Sequence, residues 1–220
     1  MSNSTNPTII SEEKKYYLLI KKVFAILAPF YDFLTFPISG IRDKVANSAD
    51  ARFGAKILDV ATGTGGQAFA FAKKGYQVVG VDLSEAMLKV AQRKNKYENV
   101  RFETADAANI PFEGGHFDVS CISFALHDMP AGVRGKVLKE IRRVTKPNGI
   151  IIIVDYGLPE SGIGRALVYN LVKLYEGKYY REFIKSDLAG FLTMAGIEIK
   201  EELSVLLGVC KILKCQSIGG

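Results

Sequence analysis

The chain has 220 residues, 48% of them hydrophobic and 24% charged, so it can bury a core and is not intrinsically disordered. Its 29 Lys and Arg against 23 Asp and Glu give a net charge of +6, mildly basic and below the density of a nucleic-acid coat. Three Cys outside any metal-ligand spacing, two His (His116 and His127) and no run of about 18 apolar residues argue against a disulfide scaffold, a metal centre and a membrane span.

The first ten residues, MSNSTNPTII, are polar, lack a signal-peptide pattern and read as disordered, so a soluble cytoplasmic protein is expected. Ser11 caps a predicted helix, SEEKKYYLLIKKVFAIL, with Glu12 and Glu13 in its first turn, where the helix dipole favours anions. Lys14, Lys15, Lys21 and Lys22 beside Tyr17, Leu18, Ile20, Phe24 and Leu27 make this helix basic and amphipathic. It is either a solvated face or a peripheral contact with anionic membrane. A second, weakly periodic helix is read over 38–49.

From about residue 51 the pattern becomes regular. AKILDV (55–60) reads as a buried strand, followed by a Gly-rich turn and the helix QAFAFAKK. The strand YQVVGVD (76–82) leads into a helix capped by Ser84. VRFET (100–104) and FDVSCISFA (117–125) are the next strands, and a helix over 131–144 stops at Lys-Pro-Asn-Gly, a turn signal. GIIIIVDY (149–156) is β-branched almost throughout, as a strand covered on both faces should be. Alternating strands and helices predict an α/β fold with a parallel sheet.

After Tyr156 the rhythm changes. Residues 157–183 read as a lid insert with one amphipathic helix, and Tyr156 just before it joins Tyr169, Tyr175, Tyr179 and Tyr180 in giving the region an aromatic character. A helix over 185–195 precedes IEIKEELS and GVCKILKC, whose short Leu-Leu-Gly link allows only antiparallel pairing. Cys210 and Cys215 should face opposite sides of the last strand. The chain therefore divides into a cap over 1–50 and a core over 51–220.

The turn Asp59-Val-Ala-Thr-Gly-Thr-Gly-Gly lies where a strand must bend sharply into a helix, and glycine there permits positive φ and close ligand approach. Ligands of open α/β sheets bind at the carboxyl ends of such strands. Gly63, Gly65 and Ala68 also satisfy a dinucleotide fingerprint, so a nicotinamide cofactor stays open at this point. Asp82, ending the second strand, can accept both hydroxyls of a ribose from any adenosine cofactor. Asp106 and the N–H of Ala107 can meet the adenine amino group and a ring nitrogen, a requirement the dinucleotide fingerprint does not make. His127, just past the fourth strand, is a candidate general base, with Asp128 and Asp155 further polar groups at that edge; His116 is given no role.

The run ILDVATGTGG, VVGVDLSEAML, ETADAANIPFEGGHFDVSCISFALHD and RVTKPNGIIIIVDY resembles class I S-adenosylmethionine-dependent methyltransferases. Within them it is most similar to the ubiquinone/menaquinone C-methyltransferase (UbiE-like, methyltransferase type 11) group over residues 24–156. The resemblance implies a Rossmann-like fold with a seven-stranded, mostly parallel sheet, an antiparallel last strand, helices on both faces and an N-terminal helical cap. It implies that Asp59, Ala61, Gly63, Thr64 and Gly65 line the methionine and ribose of S-adenosylmethionine. Asp82 would hold the ribose, Leu83 and Met87 would pack beside the nucleoside, and Asp106 and Ala107 would bind adenine. Ser123 would face the cofactor and Tyr31 would approach its methionine end. Ala61 stands where many members have glycine, and Leu126-His127-Asp128 stands where quinone enzymes often have Leu-Arg-Asn. The expected activity is in-line methyl transfer to a small, hydrophobic or aromatic, quinone-like acceptor, without a nucleic-acid partner. A phospholipid amine N-methyltransferase, an NAD-dependent oxidoreductase and a non-catalytic binding module are the alternatives.

Overall fold

A computed structural model describes residues 11–157 and 178–219. The expectations for residues 1–10 and for Tyr169 and Tyr175 lie outside these. Helix α1 (Glu12–Leu27) begins where expected, because the Ser11 hydroxyl accepts the Lys14 N–H at 3.2 Å. A short turn of helix, α2 (Tyr31–Leu34), and α3 (Ile41–Ser48) follow.

The sheet contains β1 (Lys56–Val60), β2 (Gln77–Asp82), β3 (Val100–Thr104), β4 (Phe117–Ser123), β5 (Thr145–Tyr156), β6 (Ile197–Val205) and β7 (Cys210–Ser217). Their order is β3-β2-β1-β4-β5-β7-β6. The first five run parallel, and β7 is antiparallel to both β5 and β6. The seven-stranded, mostly parallel sheet with an antiparallel last strand is thus the observed architecture. Parallel pairing requires crossovers, supplied by α4 (Gly66–Lys73), α5 (Glu85–Lys94) and α6 (Ala131–Val144). Helices α7 (Lys178–Lys185) and α8 (Leu188–Met194) precede β6.

Alternate residues of the central strands feed two cores. Leu58, Val60, Ile122, Ile151 and Ile153 pack with Val137, Leu138 and Ile141 of α6 on one face. Ile57, Val119, Ile152 and Val154 pack with Ala68 and Phe71 of α4 on the other. Each of these wholly buried aliphatic side chains contributes roughly 1.5–3 kcal/mol relative to exposure. Ile41, Val45 and Ala46 of α3 belong to the second core, so α3 is part of the body of the fold although it lies before residue 51. Cys215 enters the first core and Cys210 the second, as opposite faces of one strand require, and burial pushes both thiols up to about 12.

Two local expectations need correction. The helix stop at Lys146-Pro147-Asn148 is real, but these residues lie inside β5, not in a separate turn. Phe117 pairs with Thr145 and Val119 with Ile150, so five steps on β5 face two on β4 and the surplus bulges out. A bulge tolerates the missing N–H of Pro147. The helix read over 185–195 is α8 and starts later, at Leu188, because Asp187 caps it by accepting the Gly190 N–H at 2.9 Å.

Candidate functional site

The carboxyl ends of β1, β2, β3 and β4 converge on one rim, and two clefts open there. The first, about 720 Å³ including space continuous with solvent, is bounded by Tyr17 and Phe24 of α1, by Asp82, Leu83 and Met87, by Asp106 and Ala107, and by Phe124, Ala125, Asp128 and Met129. The second, about 580 Å³, is bounded by Asp59, Thr62, Thr64, Gln67, Arg42 and Ser123. Tyr31, Ala61, Gly63 and Phe124 line both, so the clefts meet at those four residues.

The turn after β1 is built by main-chain bonds. Thr62 donates its N–H to Val81 O at 2.9 Å and Gly65 donates to Thr62 O at 2.9 Å. Gly63 (φ 56°) and Gly65 (φ 81°) occupy the left-handed region that the turn requires. A Cβ on Gly65 would stand 2.8 Å from the Phe102 ring, so this glycine serves the turn and its packing. It lines neither cleft, unlike the other residues expected around the cofactor.

Asp82 joins two segments of the rim. Its Oδ2 accepts the Gly63 N–H and its Oδ1 the Ser84 N–H, each at 2.8 Å. Both oxygens are thereby fixed, and each keeps a lone pair for a hydroxyl donor. Burial outweighs these bonds and holds its carboxyl above the usual range. Asp59 is more deeply enclosed. Burial pushes it up to about 7, against the Thr62 hydroxyl donated at 2.5 Å and the Ala68 N–H. The neighbouring Asp82 charge adds to the rise.

Asp106 Oδ1 accepts the Ala108 N–H at 2.9 Å and the Tyr17 hydroxyl at 3.2 Å. The second bond ties α1 to the rim across the first cleft. Asp32 ties the cap down at another point, accepting the Thr64 hydroxyl at 2.7 Å and pairing with Lys94. Lys94 and Thr64 together hold the Asp32 carboxyl below its ordinary value despite its partial burial.

His127 lies behind the cleft wall. It is buried, its Nδ1 stands 2.6 Å from Asp155 Oδ1, and its ring meets Tyr156 edge-on. Its Nε2 is 3.6 Å from Oδ2 of Asp128, which does line the first cleft. The expected base is therefore one side chain removed from the cavity. The buried Arg134 holds this turn by donating to Leu126 O at 3.2 Å and Met129 O at 3.0 Å.

Four residues of the site escaped sequence reasoning: Tyr17, Asp32, Arg134 and Phe124. Phe124 has φ 51°, a costly conformation for an aromatic residue, at the meeting point of the clefts. Of these only Asp32 carried a signal, because it directly follows Tyr31, which the family resemblance places near the methionine end of the cofactor.

Among the described residues the two linings carry Asp59, Asp82, Asp106 and Asp128 against the single cation Arg42. A pyrophosphate would be repelled by such a rim, whereas an adenosine bearing a sulfonium is suited to it. Residues 57–149 match the family profile of a methyltransferase domain. The chain is 35% identical over 153 residues to a demethylmenaquinone methyltransferase of Paenarthrobacter aurescens, a match covering 67% of this chain and 59% of the relative's own length. It is 34% identical over 180 residues to a demethylmenaquinone methyltransferase of Chlorobaculum tepidum, covering 77% of this chain and 73% of that one. A crystal structure of a putative methyltransferase from Bacillus halodurans matches with a TM-score of 0.60 at 31% identity, covering 74% of this chain and 71% of that one. The chain belongs to the class I S-adenosylmethionine-dependent methyltransferases, in their UbiE-like group. The NAD-dependent alternative is set aside by this membership, and S-adenosylmethionine is the cofactor of the family.

Proposed function

We propose that this methyltransferase carries a methyl group to a small, apolar or aromatic, quinone-like acceptor by in-line displacement. The observation that carries the reading is the first cleft, which offers Asp82, Asp106 and Asp128 but is otherwise walled largely by apolar and aromatic side chains such as Tyr17, Ile20, Phe24, Met129 and Val133, and which meets the second cleft at Tyr31, Ala61, Gly63 and Phe124. The relatives named above as demethylmenaquinone methyltransferases support the acceptor class.

S-adenosylmethionine, when bound, supplies a methyl already activated by its sulfonium. The chain's own residues need to bind, orient and dry the reactants. Asp82 would accept the ribose hydroxyls, with Leu83 and Met87 against the nucleoside. Asp106 and Ala107 would meet the adenine edge. Asp59, Ala61, Gly63 and Thr64 would surround the methionine portion, with Ser123 beside it. Tyr31 and Phe124 would flank the reacting centre, and Ile20, Phe24, Ala125 and Met129 would exclude water from it. An acceptor that loses a proton during attack requires a base. Asp128 is the better choice than His127, because its carboxylate reaches the cleft while His127 and Asp155 stand behind it.

Incubation of the full chain with S-adenosylmethionine and a demethylated menaquinol should release S-adenosylhomocysteine. Phosphatidylethanolamine vesicles in place of the quinol should release none. Turnover on the phospholipid instead would make the protein an amine N-methyltransferase. Cofactor binding without product from either acceptor would remove the quinone reading.

A further inference from the structure

We propose that the outer face of the N-terminal cap docks on an anionic lipid bilayer, with Phe33 and Phe36 inserting and the lysines of α1 resting on the headgroups. Seven of the thirteen large apolar side chains exposed among the described residues fall within residues 18–36, so exposure is concentrated on this one segment. Scattered apolar residues are ordinary on a surface, but a contiguous apolar patch marks an interaction site. Phe30, Phe33 and Phe36 are 66%, 83% and 74% exposed, at intervals of three residues across α2. Leu18, Leu19 and Ile26 extend the patch along the outer side of α1.

Charge identifies the occupant. Lys14, Lys15, Lys21 and Lys22 are all exposed on α1, and residues 14–31 contain no acid. Asp32 follows, but it is engaged by Lys94 and Thr64. Aromatic side chains bordered by lysine, on a helix that is not apolar all round, form the pattern of a segment lying in a membrane interface. The cations add attraction to anionic lipid. A basic protein surface lacks an apolar interior to receive the phenylalanines, and an acidic protein partner would leave them in water unless it offered a matching groove.

The inner side of α1 makes this location useful. Tyr17, Ile20 and Phe24 face the first cleft while Lys15, Leu18, Leu19, Lys22 and Ile26 face outward. One helix thus separates the cleft from the docking face, and a lipid-soluble ligand need cross only that helix. The docking inference does not rest on the acceptor proposed above, since it can be tested without one.

Cosedimentation of the full chain should show binding to vesicles of phosphatidylglycerol and phosphatidylcholine at low salt, and little to phosphatidylcholine alone. Phe33→Ser with Phe36→Ser should reduce partitioning at least tenfold, and each of Lys15→Gln and Lys22→Gln about fivefold. Raising the salt to about 0.5 M should weaken binding further, because screening shortens the attraction. Titration with S-adenosylmethionine should give an unchanged dissociation constant in the double Phe variant and in each Lys variant. Should the double Phe variant misfold, Leu18→Ser with Ile26→Ser provides the same comparison. Equal binding to both vesicle types, no binding, or wild-type partitioning in the variants would overturn the proposal. So would concentration-dependent self-association lost in Phe33→Ser, which would give the face to a second copy.

Discussion

The turn after β1 and the turn after β4 occupy the same rim, yet different forces hold them. Residues 61–66 are fixed by main-chain bonds between adjacent strands, finished by the Gly63 N–H to Asp82 bond. Residues 124–129 also carry main-chain bonds, such as the Phe124 N–H to Val154 O at 2.7 Å, but side chains from afar hold them as well: Arg134 grips the carbonyls of Leu126 and Met129, and Asp155 takes the N–H and ring of His127. Arg134 in turn lies against the rings of Phe183 and Phe191. The turn after β1 is therefore built locally, whereas the turn after β4 depends in addition on buried charge. Buried charges tolerate the loss of a partner poorly.

Protonation offers the strongest perturbation of the first turn. The Asp59 carboxyl ionises near 3.8 when unfolded and near 7 when folded. Between these values the unfolded chain binds fewer protons, so stability falls as pH rises. The stabilisation is complete below pH 4 and lost above pH 7, amounting to about 4 kcal/mol from this group. Denaturant titrations from pH 4 to 8 should show that slope in the wild type and a much flatter one in Asp59→Asn. Parallel slopes would place the titration elsewhere.

For the second turn, Arg134→Met should cost about 3 kcal/mol, because two buried carbonyls lose a charged donor. Affinity for S-adenosylmethionine should stay within about twofold, as measured by calorimetry, because the first turn keeps its own bonds. Equal damage to both properties would mean that the halves are not separable. Asp82→Ala makes the reverse test. It should weaken S-adenosylmethionine by about 1.5–3 kcal/mol, the range for hydrogen bonds to a charged group. An unchanged dissociation constant would show that the ribose is held elsewhere.

The same division decided what the sequence could reveal. The first turn was legible because glycine spacing, a strand before it and a helix after it are local features. Asp82 and Asp106 followed, each ending or succeeding a strand whose β-branched residues marked its limits; β3 matches its expected span, Val100–Thr104. Arg134 gave no sign of its role, since an arginine within an amphipathic helix normally faces water. Its clasp depends on Leu126, eight residues away, and on Ser186, 52 residues away. His127 is legible as a polar group past β4, but that it lines neither cleft is not, because its ring is held by Asp155, 28 residues on. Phe124 was hidden for a different reason: a left-handed aromatic residue has no signature in composition or period.

That strain supplies the smallest and most discriminating contrast. Ala61 has φ 54° and Phe124 has φ 51°, and both line the meeting point of the clefts. A left-handed L-residue costs about 1–2 kcal/mol, which glycine avoids, while glycine adds about 0.4–1 kcal/mol of unfolded-state entropy. Ala61 contributes only a methyl, so Ala61→Gly should gain about 0.5–1 kcal/mol in denaturant unfolding. Loss of one methyl from the groove should weaken S-adenosylmethionine no more than about fourfold. At Phe124 the same relief competes with an aromatic ring packed edge-on against Tyr156 at 5.4 Å. Phe124→Gly should therefore lose stability, with packing outweighing strain. If both substitutions stabilise, the second turn is not held by its side chains; if both destabilise, the alanine methyl is itself packed into the first.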